Sequence, residues 1–282
     1  MNFRIFSFFL LGLNFLTCKK PNYDLNNIYP GDKLVINGYV NSDSGCIVHV
    51  SKSIPSTGNI PYDQLTVKDA RVFLYENGDS IQELVQDTKG HFKSINFLPK
   101  VGFFYRIRST SLSLQTAESE EVQFEDLQLS EKATTVYSKD LKYGAGYIFT
   151  FKLNFDTSKI HYYFFNPTGD GKDVETYFIQ PSGIEKSCGL YQDYFKYYVS
   201  SSCFTTGDSL SIGVGTDNYS GNKPTTLKLN ISTISPILYK YITALGEPVG
   251  ADFAFFEPAL QFSNIKGGFG IFYTKNTKSF TK

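Results

Sequence analysis

Tryptophan is absent from the 282 residues, methionine occurs once, histidine three times and cysteine four times. An excess of charge of either sign is also missing, because 27 lysines and arginines balance 27 aspartates and glutamates. A neutral chain offers no positive field to a phosphate backbone, which excludes general nucleic-acid binding. His49, His91 and His161 stand singly, without the close spacing of a zinc site, so no metal is expected. The N-terminal apolar run, residues 5–13, is far short of the roughly 20 residues a membrane-spanning helix needs. What is plentiful is Phe (26), Tyr (20) and Gly (23), in a chain 41% hydrophobic and 19% charged. That composition excludes a disordered tail, and its pleat-favouring aromatics and turn-forming glycines lean all-β. At roughly 150 residues per domain the length suggests two domains.

Residues 1–17 carry one charge, Arg4, ahead of the apolar run, and are expected to be a signal peptide. They lead into Phe15-Leu16-Thr17-Cys18, which resembles a bacterial lipobox: an apolar position, a small residue, then the cysteine that is acylated. Cys18 is therefore the expected lipidation site, and its acyl chains would anchor the protein to a membrane. An ordinary signal peptide cleaved after a small residue is the alternative. Removing residues 1–17 takes away one base and no acid, leaving a net charge of −1. Three cysteines then remain besides Cys18, and an odd number cannot pair completely within one chain. Cys188 and Cys203 bracket a short loop, and a disulfide there suits an exported protein, with Cys46 left as a buried thiol on its strand.

Residues 18–31 are polar and Asn-rich and read as a tether. Short β-rich segments then occur at 33–41, 46–53, 70–76, 82–86, 91–97 and 103–109, each fenced by Gly, Asn, Asp or Pro. Others lie at 134–138, 147–155, 161–166, 175–179, 194–200, 209–214 and 225–232. Tyr147, Phe149, Phe151, Leu153 and Phe155 alternate with the period of a half-buried strand. One good helix is expected at 236–245, with Pro236 in its first position, Ser235 as cap and Gly246 to end it. The acid-rich stretch 117–132 reads as an exposed junction, with 122–129 as a flanking strand. The expectation is an all-β chain of two tandem Ig-like β-sandwiches, 32–117 and 118–282, the second carrying the helix and the tail strand 269–273.

Several motifs suggest chemistry. Gly207-Asp208-Ser209-Leu210 spells the block of a serine esterase class, but all three histidines lie upstream of it and the residues after Ser209 read as a strand. Residues 217–222 offer oxygen ligands without the glutamate of a calcium loop. Gly267-Gly268-Phe269-Gly270 lacks both the spacing and the helix of a dinucleotide cradle, and reads as a turn before a closing strand. No catalytic residue and no cofactor is expected. Between the two cysteines lie Tyr191, Tyr194, Phe195, Tyr197 and Tyr198. Tyr191, Tyr194 and Tyr198 are candidate ligand contacts, since aromatics offer binding area at low entropic cost. The rival account is packing, with Phe195, Tyr197 and Val199 facing the core and Tyr194 and Tyr198 outside.

The first half resembles the transthyretin-like sandwich of carboxypeptidase regulatory domains, through Asn37-Gly38-Tyr39-Val40, residues 67–74, 87–92 and Leu98-Pro99. The whole chain resembles a Bacteroidetes lipoprotein family catalogued as domain of unknown function 4249. The lipobox, residues 34–40 and 50–53, Phe255-Phe256-Glu257-Pro258 and residues 263–272 carry that resemblance. Phe255 departs from the family's commoner Asn-Pro-Phe near this point. The resemblance implies an outer-membrane lipoprotein, commonly encoded beside a TonB-dependent receptor and without established activity. A non-enzymatic accessory or substrate-capturing partner of such a transporter is the first expectation, and a structural or adhesive envelope protein the alternative. Lys19-Lys20 after the cysteine leaves both the cell surface and the periplasmic face open.

Overall fold

The computed structural model describes residues 31–53, 65–87, 90–129, 133–141, 144–170, 172–180, 188–193, 196–218, 226–245 and 262–282. Strands dominate. In chain order they are β1 (Leu34–Asn41), β2 (Gly45–Lys52), β3 (Arg71–Glu76), β4 (Asp79–Glu83), β5 (Val85–Gln86), β6 (His91–Lys93), β7 (Phe104–Thr110), β8 (Ala117–Ser119) and β9 (Val122–Gln123). Then come β10 (Gln128–Leu129), β11 (Thr134–Leu141), β12 (Gly144–Asn154), β13 (Tyr162–Gly169), β14 (Lys172–Gln180), β15 (Leu190–Asp193), β16 (Lys196–Ser200), β17 (Ser209–Asn218) and β18 (Leu227–Ile234). The α-helix α1 (Pro236–Leu245) precedes β19 (Ile265–Lys266) and the long final strand β20 (Phe269–Thr281).

The fold is all-β, built as two sandwiches. In the first, a sheet ordered β20-β1-β2-β6-β5 packs on one ordered β19-β8-β7-β3-β4, with β9 also on β7. Alternate residues of β1 and β2 (Leu34, Ile36, Val40, Cys46, Val48, Val50) meet Val72, Leu74, Tyr105 and Ile107 in its core. The second sandwich sets β11, β12, β17 and β14 against β15, β16, β13, β18 and the far half of β20. Phe149, Phe151 and Leu153 of β12 are buried there against Tyr163, Phe165, Tyr197 and Val199, as the alternation of β12 requires.

β20 belongs to both sandwiches. From Phe269 to Lys275 it runs parallel to β1, with Tyr39 beside Tyr273; from Lys275 to Thr281 it pairs antiparallel with β18. The tail is thus longer than the segment 269–273 read from sequence. The division at 117/118 is crossed at the same time, because Ile265 and Phe272 lie in the core of the first sandwich. Buried Asn264 fastens this crossing: its amide donates to Phe272 O at 2.8 Å, and its Oδ1 accepts the Phe272 N–H at 2.9 Å.

The acid-rich stretch is not an exposed linker. Ala117, Ser119, Val122 and Phe124 are buried with strand alternation, while Glu120, Glu121 and Asp126 face outward. Thr274 donates to Gln123 O at 2.7 Å, and Asn276 to Glu125 O at 3.1 Å, closing the seam between the sandwiches.

Helix α1 lies on the outer face of the second sandwich. Leu238, with Ile237, Tyr241 and Ile242, packs on Ile234, Ile271 and the aromatics of β13 and β16. Ser235 stands at the expected cap position, immediately before Pro236. Its carbonyl accepts the Leu238 N–H at 3.1 Å, while its hydroxyl accepts the Thr274 N–H at 3.5 Å, so it ties helix to shared strand. Gly246, expected to end the helix, lies outside the described residues. No described helix is long and apolar enough to cross a membrane.

Candidate functional site

A groove of about 560 Å³ opens where the outer faces of the two sandwiches meet beside α1. Its floor is set by strand register. Because β20 pairs with β1, β1 with β2 and β2 with β6, the outward residues fall into cross-strand rows. One row is Ile271, Asn37, His49 and His91; the next is Tyr273, Tyr39, Ile47 and Lys93. Lys275 lies two residues beyond Tyr273 on the same face. Leu238, Tyr241 and Ile242 of α1 make the wall, with Phe164 and Tyr198 at its foot.

The rings are ordered by one another. Tyr39 and Tyr273 stack at 5.6 Å between centroids, Phe164 and Tyr198 at 4.6 Å, and the His49 and His91 rings lie 5.6 Å apart. The Lys275 ammonium sits 5.5 Å from the Tyr39 ring centroid, within cation–π range. Burial holds the Lys275 amine below its ordinary range, with exposed Asp43 acting in the opposite sense. Burial, and then the neighbouring His91, lower the His49 imidazole. Burial raises the Tyr273 hydroxyl. A volume of this size, lined mostly by aromatic and aliphatic side chains with a few polar groups converging on it, falls within the range of small-molecule sites.

The expected site residues divide. Tyr198 lines the groove but is only 8% exposed, so it is not an outside residue. It alternates away from the core that takes Tyr197 and Val199, and α1 covers it. Tyr191 packs against it, with ring centroids 6.1 Å apart, outside the groove lining. Tyr194 and Phe195 lie outside the described residues, as do Cys18 and residues 19–30 of the tether. Cys188 and Cys203 are joined by a disulfide across a sequence separation of 15. Tyr239 holds that end of the hairpin by donating to Gly189 O at 2.7 Å and stacking on Tyr162 at 4.3 Å. Cys46 is a free, buried thiol in the first core, and burial pushes its pKa up.

Sequence reading misses the groove's floor. Asn37 and His49 face each other across the β1–β2 hairpin, but His91 joins them only through the pairing of β2 with β6, and Tyr273 only through that of the tail with β1. The nearest signal in the sequence is the outward alternation of 35–39 and 47–49, which marks a face without naming its neighbours.

A second cleft, about 260 Å³, lies at the seam. There Glu125 pairs with His161 Nδ1 at 3.0 Å and Lys159 at 3.5 Å, while His161 Nε2 faces Asp156 O at 3.1 Å. Glu125, Lys159 and His161 satisfy one another, which suits a structural clamp. Gly207 turns with φ +82° into β17 at Ser209, as a turn-to-strand reading of that block expects. Among the described residues no group of three or more His, Cys, Asp or Glu is placed to hold a metal. The end of the 217–222 stretch lies outside them.

Comparison with known proteins fixes the family. The model for a domain of unknown function, DUF4249, matches residues 20–281. The chain belongs to the DUF4249 family. The match takes in both sandwiches, α1 and the shared strand, so a DUF4249 unit is the two-sandwich body and not one half of it. No curated protein matches this DUF4249 chain. Among solved structures, extracellular domains 3–5 of Drosophila OTK align at 10% identity with a TM-score of 0.21. That alignment covers 72% of the DUF4249 chain and 61% of the OTK chain. The yeast delta-COP-I mu-homology domain aligns at 9% identity with a TM-score of 0.23, covering 88% and 93%.

Proposed function

We propose that this protein is a lipid-tethered, non-enzymatic capture module that holds a small ligand in the junction groove and serves a TonB-dependent transporter of the outer membrane. One observation carries the reading: the groove is built by both sandwiches and the helix on a shared strand, so its walls are fixed relative to one another. A preorganised site loses little ordering entropy on binding. The lipobox-like Phe15-Leu16-Thr17-Cys18 supports the tether. The groove suits binding better than turnover, because no carboxylate is among its described lining residues. Asp87, 3.7 Å from His91 beyond that lining, already pairs with Lys93 at 2.9 Å. In this reading the tether holds the module at the outer membrane of a Bacteroidetes cell, on the surface or the periplasmic face.

The test is palmitate labelling followed by affinity purification from mildly solubilised membranes of cells confirmed to express a neighbouring receptor. Labelling of the wild type, its loss in Cys18→Ala, and co-purification of the receptor are the expected results. A labelled protein that recovers no receptor would remove the transporter role and favour a structural or adhesive envelope protein.

A further inference from the structure

The geometry points to an acidic saccharide, a sugar ring bearing a carboxylate, as the ligand of the junction groove; this inference rests on the capture reading above. The floor strands β20, β1 and β2 are interior to their sheet, paired on both sides along the groove. A peptide therefore finds no free edge there on which to add as a strand, and recognition must come from side chains. The side chains present are of the kind that recognise sugars. Tyr39 and Tyr273, stacked on each other, form an aromatic ridge against which the C–H groups of a pyranose can pack, and its flank carries a polar row.

In that row Asn37, His49 and His91 succeed one another across neighbouring strands, roughly 4.8 Å per step. Amide and imidazole nitrogens and oxygens can both donate to and accept from hydroxyl groups. On the opposite flank of the ridge stands Lys275. Of the other described cations of the face, Lys93 is neutralised by Asp87 at 2.9 Å and Lys33 lies over Phe269. Lys275 makes none of the described ion pairs, its charged form is favoured by exposed Asp43, and its ammonium lies over Tyr39 in a half-buried position. Order along the strands is thus cation, ring ridge, hydroxyl-binding row. A uronate satisfies all three at once, with its carboxylate on Lys275, its ring on the tyrosines and its hydroxyls on the row.

The experiment titrates the full chain, purified in detergent, with oligosaccharides of galacturonate, glucuronate and mannuronate, their methyl esters, and neutral maltotriose and cellotriose, by calorimetry. Binding to at least one acidic series is expected. Its methyl ester should bind roughly ten- to hundredfold more weakly, the range of a lost charge-assisted hydrogen bond. Lys275→Gln should weaken the acidic ligand by a similar factor and leave the ester unchanged. Tyr39→Leu should weaken both, and a thermal melt of each variant verifies folding. Equal affinity for acid and ester, or no binding across the acidic panel, would overturn the inference. If receptor co-purification persists in that same preparation, only the ligand class has failed; if it is lost as well, the capture reading fails with it.

Discussion

Gly270 is where the shared strand is most exposed to a single substitution. It sits at φ +108° in β20, and a Cβ built there would lie 2.1 Å from the backbone oxygen of Ile36 on β1. Gly270→Ala therefore imposes two penalties. A side chain held at positive φ costs about 1–3 kcal/mol. Overlap with a backbone oxygen that cannot rotate away adds about 1–3 kcal/mol, as overpacking in a filled core does. Gly78 separates the terms. It succeeds Asn77 in the β3–β4 hairpin, both at positive φ, and a Cβ there meets nothing within 4 Å. Gly78→Ala thus carries the conformational penalty alone. At about 2–4 °C per kcal/mol for a chain approaching this size, Gly270→Ala should melt roughly 2–12 °C below Gly78→Ala. Differential scanning calorimetry of wild type and both variants is the assay. Because β20 pairs in both sandwiches, the deficit should lower the melting of both. Equal melting of the two variants would refute the parallel β1–β20 pairing, and loss confined to one sandwich would refute its sharing.

Particular contacts make three further outcomes measurable. Replacing Cys188 and Cys203 together by Ala should destabilise by roughly 3 kcal/mol, the chain-entropy value for a loop of their separation of 15. Non-reducing peptide mapping should find the two joined, with Cys46 alkylated only after denaturation; a link to Cys46 would contradict the fold. Burial pushes the Tyr198 hydroxyl up to about 12 from its ordinary 10.0, with smaller contributions from Asp193 and Tyr191. Its neutral form is the one the fold favours, so this stability is complete below pH 10 and lost as pH rises through about 12. Tyr105, Tyr163 and Tyr273 shift in the same direction. Tyrosinate absorbance tracked alongside circular dichroism should show these phenols ionising late, together with unfolding; ionisation of every tyrosine near pH 10 in a folded protein would count against the packing. Cys18→Ala should move the protein from the detergent phase to the aqueous phase of a phase-separation extract, and retention in the detergent phase would refute the tether.

Much of the fold is legible in the sequence because alternation reports which face of a strand is buried. Residues 147–155 read correctly for that reason: Phe149, Phe151 and Leu153 are in the core. Alternation does not report neighbours. Nothing local to 269–275 says that it lies parallel to β1, more than two hundred residues earlier, so sequence assigns the tail to the second sandwich alone. Tyr198 illustrates the same limit. The pattern places it opposite Tyr197 and Val199, which is right, but cannot show that α1 roofs that face and buries it. The acid-rich stretch misleads because its charges draw attention from Ala117, Val122 and Phe124 at buried positions. The groove combines the first two gaps, a non-local pairing and a roofing helix.

Saturation-transfer NMR tests the groove as the capture site most directly. Wild type and Ile47→Trp are each mixed with the panel of acidic and neutral saccharides. Ile47 is half-buried on the outer face of β2 and lines the groove, so the indole fills it while remaining compatible with a strand. Saturation of saccharide ring protons by the wild type, and its loss in Ile47→Trp at unchanged melting temperature, is the expected result. Equal saturation by both proteins would place the ligand on another face and contradict the account.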